Sequence, residues 1–392
     1  MKDEYTLLAG TQWPDATPWA PFDARAVDFL SALSEAILRD PVLRQQENNA
    51  AFGFWCRRSR LEQLAQRHAS PWPRLGRGLV LHLAPANVPE LFAYTFAIGL
   101  LAGNANLVRL SSRCAETQGD LLRRIECVLA DHPEVRARTA LVTYPRESGC
   151  TAELCARCDA RVVWGGDETV AALRTMPMPP HGVELAFPDR RSLAVLSQRL
   201  IDGLDGEALR GLAHRFYKDT YPMDQNACSS PQLVVWLEDG GNSACRARWW
   251  EAVAAVAVER YPFGPFQAAR KLERLCLSVM TGAVEGRVER YGGNYLHLLQ
   301  LASLPRDLDS LRGGFGLFYT CGISRLEDLL PLLTPKVQTL VCGGLKPAEV
   351  SRFLARRHAL GVDRVVTLGQ ALEMDTIWDG KDLIAGLSRM IL

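Results

Sequence analysis

From residue 78 onward, short apolar runs alternate with longer segments of helical periodicity, and this alternation limits the possible folds more than any other feature of the chain. The apolar runs cover residues 78–84, 104–110, 137–144 and 160–166, and the helical patterns cover 89–102, 113–131, 149–158 and 167–176. Strands separated by helices of this length pair in parallel, with helices on both faces of the sheet. The pattern therefore predicts a doubly wound α/β fold, in which ligands bind outside the carboxyl ends of the strands.

Length and charge narrow the class of protein. With 392 residues the chain is long enough for two domains, and 45 basic against 44 acidic residues give a net charge of +1. This balance predicts neither a nucleic-acid-binding surface nor a polybasic membrane patch. The longest apolar run, 91–102, is about ten residues too short to span a bilayer, and MKDEYTLLAG lacks the layout of a secretory signal. We expect a soluble cytoplasmic protein with reduced cysteines, and no nucleic acid or membrane as partner.

One cysteine, Cys228, lies in the polar segment DQNACSSPQ at the start of an apolar run. A nucleophilic thiol needs a lowered pKa or a nearby base. The backbone N–H groups of the ACSS turn, together with Gln225 or Asn226, are candidates for stabilising a thiolate or an oxyanion. His214 is either a base or an ordinary histidine on a helix surface. A packed thiol without a chemical role is the alternative that the residues leave open.

Three further cysteines, Cys150, Cys155 and Cys158, have the spacing C-x4-C-x2-C, which superficially suits an iron–sulfur cluster. A fourth thiol at a suitable distance is missing, since the next cysteine is Cys228. We interpret the three residues as small apolar thiols on and near the buried face of a helix, and we predict no metal site.

Two strand-to-helix turns contain residues that suit ligand binding. In APANVPE, Asn87 followed by Pro89 and Glu90 fits a helix N-cap with a capping box, and the Asn87 amide also fits a donor to an oxyanion. In WGGDET, Gly165 and Gly166 would let a phosphate or a nicotinamide approach the backbone at a helix N-terminus. The acids that follow these glycines also fit a simple complement to the helix dipole.

The order of these segments resembles that of the aldehyde dehydrogenase superfamily and, more closely, its branch of bacterial acyl-CoA reductases, the LuxC family. The resemblance is carried by LHLAPANVPELFAYTFAIGLLAGNANLVRLSSR, VVWGGDETV, DRRSLAVLS, DQNACSSPQ and GVDRVVTLGQALEMDTIWDGKDLI. It implies an aldehyde-dehydrogenase-like fold with two doubly wound parallel-sheet domains. It also implies that Cys228 is the nucleophile and that Asn87 is the side-chain half of the oxyanion hole. Gly165 and Gly166 match the turn that meets the dinucleotide.

The resemblance also points to the cofactor, through residues that depart from the wider superfamily. Where aldehyde dehydrogenases have a lysine and, three residues later, an acid, this chain has Arg109 and Ser112, followed by Arg113. That acid binds the adenosine ribose hydroxyls and repels a 2′-phosphate, whereas a neutral serine beside an arginine favours one. We therefore expect NADPH as the cofactor.

Two acids complete the expected site. Glu289 in VERYGG resembles the glutamate that holds the nicotinamide ribose, although a surface salt bridge fits equally well. Glu184 in HGVELAF resembles the general base of hydrolytic aldehyde dehydrogenases, but Ala186 and Phe187 replace the usual glycines. A reductase gains little from such a base, because hydrolysis would destroy its acyl-enzyme.

The expected function is NADPH-dependent reduction of an acyl thioester of CoA or of an acyl-carrier protein to the aldehyde, through an S-acyl-Cys228 intermediate. The alternatives are an aldehyde dehydrogenase that oxidises an aldehyde to the acid, and a non-redox acyl-transfer or scaffolding subunit. The resemblance suggests a homo-oligomer. We divide the chain into a helical N-terminal region (1–77), an NADPH-binding Rossmann-like domain (78–182), a catalytic domain with the nucleophilic cysteine (183–350), and a C-terminal return or oligomerisation segment (351–392).

Overall fold

The computed structural model describes residues 5–85, 88–280 and 287–392. The chain forms two compact units: unit 1 comprises the residues up to Pro188 together with Met374–Leu392, and unit 2 comprises Asp189–Glu373. Each unit is built on one mostly parallel sheet with an apolar core on both faces. This confirms the predicted α/β architecture with two doubly wound sheets.

The N-terminal half of the chain supplies the sheet of unit 1. Its elements are β1 (Thr6–Gly10), α1 (Ala24–Arg39), α2 (Pro41–Gln45), α3 (Glu47–Trp55), α4 (Arg58–Arg67), β2 (Arg74–Gly76), β3 (Leu79–Leu83), α5 (Leu91–Leu101), β4 (Ala105–Leu110), α6 (Ser112–Thr117), α7 (Gly119–Ala130), α8 (Pro133–Arg136), β5 (Thr139–Thr143), α9 (Cys150–Cys155), β6 (Ala160–Trp164), α10 (Asp167–Arg174) and β7 (Val183–Phe187). The strand order is β1-β5-β4-β3-β6-β7, with β1 antiparallel to β5 and the other neighbours parallel. From β5 to β7 this is the order of a Rossmann fold, which has its switch point between β3 and β6.

Helix α5 is apolar on every side because the sheet and the N-terminal helices both pack against it. Ten of its eleven residues are buried, as expected for a helix without a polar face. Gly99 in this helix has no room for a side chain, since a Cβ there would lie 2.0 Å from Asn106 Oδ1 and 2.8 Å from His82 Nε2. The close approach of α5 to the sheet at Gly99 therefore buries two polar side chains of the sheet, His82 and Asn106.

That polar pair belongs to a chain of hydrogen bonds through the core of unit 1. Asn106 Nδ2 donates to Asn104 O at 3.0 Å, so Asn106 Oδ1 is the atom that faces His82 Nε2 at 2.9 Å. His82 is therefore protonated on Nε2, and its Nδ1 accepts from the Thr95 hydroxyl at 2.7 Å. Trp164 Nε1 donates to the same hydroxyl at 3.2 Å. Because Trp164 ends β6, the network ties the end of that strand to α5, β3 and β4.

We expect His82 to make unit 1 sensitive to acid. Burial lowers the pKa of His82 from 6.5 to about 4, so the unfolded chain binds this proton more readily than the folded chain. The stabilisation is complete above the unfolded pKa and is lost as the pH falls through the folded pKa, and the loss is on the order of 3 kcal/mol. Urea unfolding of the wild-type protein at about pH 7.5 and about pH 5 should show part of this loss.

The His82→Gln variant supplies the comparison. A glutamine keeps a donor and an acceptor but does not titrate, so its free energy of unfolding should change less over the same pH range, even though the variant is less stable at neutral pH. His181→Gln is the matched control, because the His181 side chain in the same unit is 71% exposed. An equal pH dependence in the wild type and in His82→Gln would contradict the prediction.

Unit 2 contains a second, seven-stranded sheet. Its elements are β8 (Arg191–Ser197), α11 (Gln198–Asp202), α12 (Gly206–Thr220), β9 (Pro231–Leu237), α13 (Cys245–Arg260), α14 (Pro265–Met280), β10 (Val288–Tyr291), β11 (Leu296–Gln300), β12 (Leu317–Ile323), β13 (Val337–Gly343), α15 (Pro347–Arg356) and β14 (Arg364–Thr367), with 3-10 turns at Pro222–Gln225 and Leu326–Leu332. The strand order is β10-β11-β12-β9-β8-β13-β14, and only β10 is antiparallel to its neighbour among these described strands. β8 lies between β9 and β13 and runs parallel to both, so the amino ends of these three strands lie side by side at one edge of the sheet.

The last part of the chain returns to unit 1. It forms β15 (Ile377–Trp378), β16 (Lys381–Asp382), α16 (Leu383–Gly386) and β17 (Ser388–Met390). β17 pairs with β2, and Trp55 Nε1 donates to Met374 O at 3.1 Å. Across the described parts of the chain, every helix is too short or too polar to cross a membrane.

The boundaries of the two units differ from the predicted domain boundaries, because strands near those boundaries pair with the sheet of the preceding domain. β7 pairs with β6, so unit 1 extends to Pro188 and not to 182. β14 pairs with β13, so the return segment begins at Met374 and not at 351. The region 1–77 is part of unit 1, because β1 joins the sheet and the N-terminal helices enter the same core.

Candidate functional site

Cys228 lies at the amino-terminal edge of the unit 2 sheet, three residues before β9 begins at Pro231. Its exposure is intermediate, whereas the other ten cysteines are either buried or exposed on helices: Cys56, Cys114, Cys150, Cys155, Cys158, Cys245, Cys321 and Cys342 are buried, and Cys127 and Cys276 are exposed. Burial raises the pKa of Cys321 and of Cys342 to about 12. Cys228 differs from both groups, since the residue is only partly buried and lies at the edge of the sheet.

The strands beside Cys228 pair irregularly at this edge. The register between β8 and β9 shifts after Ser192, and the register between β8 and β13 shifts between Val337 and Leu340. Extra residues of this kind bend a strand and redirect its side chains. Ser192 Oγ donates to Cys228 O at 2.7 Å and accepts from Thr339 N at 3.2 Å. The serine therefore fixes the backbone of the cysteine to β13.

Gln338 is in direct contact with the thiol. Its Nε2 donates to Cys228 Sγ at 3.3 Å, although the glutamine itself is only 2% exposed. The Thr339 hydroxyl donates to Gln338 Oε1 at 3.4 Å, which leaves the amide nitrogen on the side of the sulfur. Sequence reasoning missed this residue. The signal was a glutamine in the mostly apolar strand VQTLVCG, because a buried amide needs hydrogen-bond partners.

The turn before Cys228 is left-handed. Met223, Asp224 and Gln225 have φ angles of 53°, 55° and 62°, and this conformation costs a residue with a side chain roughly 1–2 kcal/mol. Surrounding contacts hold the turn: Phe315 N donates to Asp224 O at 3.0 Å, and the Tyr261 hydroxyl donates to Asp224 Oδ1 at 2.5 Å. Strain that is held in this way is frequent at functional sites.

The side chains of Gln225 and Asn226 bind within this turn and its surroundings. Gln225 is fully buried, and its Nε2 donates to two backbone carbonyl oxygens at 3.1 and 3.4 Å. This corrects the expectation that Gln225 stabilises a thiolate, because its amide hydrogens already have acceptors. Asn226 Nδ2 donates to Met223 O at 3.1 Å, and its Oδ1 accepts from Arg274 Nη2 at 2.9 Å. Asn226 therefore helps to close the turn that carries Cys228.

Asn87 lies outside the described residues, so its role in an oxyanion hole stays a prediction. The capping box predicted for Asn87 and Glu90 lies partly outside the described residues for the same reason. The described helix α5 begins at Leu91, and its N-cap is Glu90, which makes no side-chain capping hydrogen bond. Leu91 N donates to Val88 O at 3.1 Å, in a turn that precedes the helix. Glu90 is 6% exposed, and burial raises its pKa.

The glycine turn lies at the carboxyl edge of the unit 1 sheet, between β6 and α10. Gly166 is the N-cap of α10 and provides no side-chain cap. A Cβ on Gly165 would lie 3.1 Å from Thr169 Cγ2, so the turn is narrow at this point. Asp167 and Glu168 are exposed in the first helical turn, where their charges complement the helix dipole.

Arg109, Ser112 and Arg113 lie at the same edge, at the end of β4. Arg109 Nη2 donates to Tyr144 O at 3.3 Å, and its guanidinium lies 5.4 Å from the centre of the Tyr144 ring, so Arg109 links β4 to the end of β5. Ser111 caps α6 by accepting a backbone N–H at 3.2 Å. The next two residues, Ser112 and Arg113, are exposed.

Glu184, the predicted second-rank general base, is held by two arginines of unit 1. Its Oε2 accepts from Arg161 Nε at 2.8 Å, and its Oε1 accepts from Arg174 Nε at 2.8 Å. Burial alone would raise the pKa of Glu184, but the hydrogen bonds from Arg174 and Arg161 hold it below its usual range. A carboxylate in this environment is a weak proton acceptor. The geometry therefore argues against Glu184 as a water-activating base.

Glu289 lies in the edge strand β10 of unit 2, next to β11. Its Oε2 accepts a hydrogen bond from the Tyr291 hydroxyl at 2.7 Å. This partner is a phenol, whereas the alternative interpretation of Glu289 as part of a surface salt bridge expected a cation. Gly292 and Gly293 follow with φ angles of 58° and 67°, which glycine adopts without strain. The contact of Glu289 with a nicotinamide ribose stays a prediction.

The three clustered cysteines lie on and beside the short helix α9, in the apolar core of unit 1. Burial raises the pKa of Cys155, and it raises the pKa of Cys158 to about 12. Within residues 5–85, 88–280 and 287–392, no group of three or more His, Cys, Asp or Glu side chains could hold a metal ion. His214, the other candidate base, stacks its ring on Tyr217 in α12, with ring centroids 6.4 Å apart.

Comparison with known proteins places this geometry in a family. The family described as acyl-CoA reductase (LuxC) matches residues 19–255. A long-chain acyl-protein thioester reductase from Vibrio harveyi is 32% identical over 165 residues. The match covers 42% of this chain and 33% of that protein, so the chain spans a third of the length of this curated relative.

Solved structures share the fold at low sequence identity. A Burkholderia cenocepacia protein assigned as an aldehyde dehydrogenase has a TM-score of 0.61 at 16% identity, over 95% of this chain and 84% of the other. PnpE, in complex with nicotinamide adenine dinucleotide, has a TM-score of 0.62 at 12% identity, over 89% of this chain and 78% of the other. The fold is thus aldehyde-dehydrogenase-like, as predicted. Because the family match covers more than half of the residues, the chain belongs to the LuxC family of acyl-CoA reductases.

Proposed function

We propose that this chain reduces an acyl thioester to the aldehyde, with Cys228 as the nucleophile and NADPH as the reductant. The observation that carries the proposal is the contact of the Cys228 sulfur, in a residue that is only partly buried, with Gln338 Nε2 at 3.3 Å. A thiol with a polar donor and partial access has the environment of a reactive cysteine, whereas a fully buried thiol with a raised pKa does not. Membership of the LuxC family and the V. harveyi acyl-protein thioester reductase support the same reaction.

The first step transfers the acyl group to Cys228. Its thiolate attacks the carbonyl carbon of a thioester of CoA or of an acyl-carrier protein. The new C–S bond forms as the bond to the donor sulfur breaks, and the departing thiolate takes up the proton that Cys228 lost. The Cys228 backbone N–H and the Asn87 amide are the proposed donors to the oxyanion, and removing one such donor costs about 2.7–4 kcal/mol of barrier stabilisation.

The second step reduces the acyl-cysteine to a thiohemiacetal. When bound, the nicotinamide cofactor supplies the hydride for this step. Hydride addition would give the thiohemiacetal as its alkoxide, which collapses without a further proton transfer: the C–S bond breaks, the aldehyde leaves, and the Cys228 thiolate is restored. Ser192 holds the backbone of Cys228 through both steps, because its hydroxyl bonds Cys228 O at 2.7 Å.

The residues of unit 1 fit a dinucleotide phosphate. Gly166 leaves the N-terminus of α10 without a side-chain cap, so its backbone N–H groups suit a pyrophosphate. Arg113 is exposed beside the neutral Ser112, and this pair suits a 2′-phosphate. Arg109 supports this edge through Tyr144. Glu289 of unit 2 is the proposed partner of the nicotinamide ribose.

Two other functions make different predictions. An aldehyde dehydrogenase would form acid from aldehyde, but the two arginines on Glu184 disfavour the base that this reaction needs. A non-redox acyl-transfer or scaffolding subunit would not bind the cofactor, so a fluorescence titration with NADPH separates it from a reductase.

Incubation with acyl-CoAs of several chain lengths, followed by peptide mass spectrometry, tests the proposal. We expect an acyl adduct on Cys228 in the absence of NADPH, and release of aldehyde in equal amount when NADPH is added. Cys127 and Cys276 are exposed and serve as internal controls that should stay unmodified. The proposal fails if acyl groups appear on these two thiols and not on Cys228, or if NADPH does not discharge the adduct.

A further inference from the structure

We propose that Gln338 is a second catalytic residue of this site, whose amide N–H donates to the Cys228 sulfur and stabilises its thiolate form. The inference deepens the proposed function and rests on it only for the identity of the reacting sulfur. No family resemblance pointed to Gln338. The geometry at the edge of β13 assigns the role, since Nε2 lies 3.3 Å from Cys228 Sγ.

The backbone of β13 is shaped for this contact. In a regular parallel ladder, two neighbouring strands advance residue for residue, but here β13 contains one extra residue between Val337 and Leu340 relative to β8. Bulges of this kind redirect a side chain, and they are frequent next to active sites. Ser192 Oγ bonds Thr339 N within the bulge at 3.2 Å. The bulge is therefore held by the same serine that fixes the carbonyl group of Cys228.

The Gln338 amide has its nitrogen toward the Cys228 sulfur and its oxygen toward the Thr339 hydroxyl. The Thr339 hydroxyl can donate a hydrogen bond, and it lies 3.4 Å from Gln338 Oε1. In this orientation the sulfur receives a hydrogen bond, which favours its thiolate form, whereas an amide oxygen in the same place would disfavour a thiolate. With Nε2 toward the sulfur, both ends of the buried amide are satisfied. Gln338 is 2% exposed, so few alternative orientations are available to it.

Charged groups on the surrounding elements are already engaged with other partners. Those at this edge are carried by the turn before Cys228, by α14 and by the amino ends of β8 and β13. Asp224 accepts from the Tyr261 hydroxyl, Arg274 donates to Asn226 Oδ1, Arg191 lies 3.7 Å from Asp309, and Lys336 donates to Asp189 O. The Gln338 amide contacts the sulfur directly at 3.3 Å, and a hydrogen bond of this kind is stronger when its acceptor is charged.

The contact changes strength along the reaction. A thiolate is a strong acceptor, whereas the sulfur of a thioester accepts hydrogen bonds weakly, so the amide favours the state before attack and the state after aldehyde release. A hydrogen bond to a charged group lowers a pKa by about one to two units. A lower thiol pKa raises the fraction of Cys228 that is thiolate but makes each thiolate less nucleophilic. Because the Brønsted slope for nucleophilicity is only about 0.4–0.5, the increase in thiolate fraction is the larger of the two effects as long as the thiol pKa lies above the working pH.

The test is the pH dependence of alkylation at Cys228 in the full-length protein, with iodoacetamide as the probe and peptide mass spectrometry as the readout. In Gln338→Met, which keeps the length of the side chain and removes the donor, the thiol pKa should rise by about one to two units. In the isosteric Gln338→Glu it should rise further, because a carboxylate repels the thiolate. Cys127 and Cys276 are exposed, report on the reagent within each sample, and should be alkylated at the same rate in the variants as in the wild type.

Gln198→Met is the matched control. Gln198 is a buried glutamine of the same unit, and its Nε2 donates to Gly241 O at 2.8 Å. This variant should leave the Cys228 titration unchanged. Thermal unfolding identifies the variants that fold, and if Gln338→Met does not fold, Gln338→Glu decides the question. An unchanged Cys228 pKa in a folded Gln338 variant overturns the inference, as does an equal shift in Gln198→Met.

Alkylation requires neither an acyl donor nor NADPH, so this inference and the proposed function fail separately. If the Cys228 pKa depends on Gln338 but no acyl adduct forms on Cys228, the reductase proposal is refuted. The role of Gln338 in stabilising the thiolate then still stands. An acyl adduct on Cys228 with an unchanged pKa in folded Gln338 variants refutes the role of Gln338 alone.

Discussion

Replacing Cys228 by serine should lower kcat/KM for thioester-dependent oxidation of NADPH by roughly 10⁴–10⁶-fold, the range found when a covalent nucleophile is removed. A hydroxyl ionises far less readily than a thiol, so at neutral pH the serine would need a dedicated base to attack a thioester. The two arginines on Glu184 leave that acid poorly suited to the task. The loss should be visible as a lower rate of NADPH absorbance decrease at acyl-CoA concentrations well below KM, where the rate is proportional to kcat/KM.

The Cys228→Ser protein should still fold and still bind NADPH. Serine is smaller than cysteine, and the hydrogen bond that fixes position 228 uses the backbone oxygen, which the substitution keeps. Cys276→Ser is the matched control, because Cys276 is an exposed thiol in α14 of the same unit. Substantial remaining turnover in Cys228→Ser, or an equal loss in Cys276→Ser, would show that the reaction uses another group.

The sequence predicts the identity of the reactive thiol better than its surroundings. Cys228 is conspicuous because polar residues precede it and a strand follows, and both features are local. The contact with Gln338 joins residues 110 positions apart. It depends on the extra residue in β13, and a single sequence does not reveal where a ladder shifts register. The left-handed turn at 223–225 is also hidden, because Met223 and Gln225 are residue types that ordinarily avoid that conformation.

Local motifs also mislead where tertiary packing decides the outcome. The order Asn87, Pro89, Glu90 satisfies the rules for a capping box, yet α5 begins later, at Leu91, after a turn closed by Val88 O. Glu90 is 6% exposed, and as the N-cap of α5 it makes no side-chain capping hydrogen bond. The apolar faces of α5 fix its position against the sheet, and the chain before it adapts to that position.

Strand periodicity predicts the sheet of unit 1 closely but not the extent of the units. The four predicted strands become β3, β4, β5 and β6 with ends within about two residues of the predicted ones, within the usual uncertainty of such boundaries. Strand β7 follows a proline-rich connection, which suggested a new domain, but its backbone pairs with β6. The strand with which β7 pairs is determined by long-range contacts, and the sequence of its five residues does not specify that partner.

The second large effect is expected from Ser112→Asp, which should reduce the preference for NADPH over NADH by about 10²-fold or more. Ser112 is exposed at the carboxyl end of β4, beside Arg113. An acid at this position would repel a 2′-phosphate and would accept hydrogen bonds from the ribose hydroxyls of NADH. The variant should fold, because an acid in the first turn of α6 complements the helix dipole. The measurement is kcat/KM for each cofactor at saturating acyl-CoA.

The change in cofactor preference should come from the negative charge at position 112 itself, and not from the lower net charge of unit 1. Thr117→Asp adds the same charge at the other end of α6, where Thr117 is also exposed, and it should leave the cofactor preference nearly unchanged. Arg113→Ala should act in the same direction as Ser112→Asp by removing a charge-assisted contact to the phosphate, but should not improve the use of NADH, since it adds no acceptor for the ribose. If Ser112→Asp leaves the ratio of the two kcat/KM values as in the wild type, or shifts it no more than Thr117→Asp does, the 2′-phosphate is not bound at this edge of the sheet.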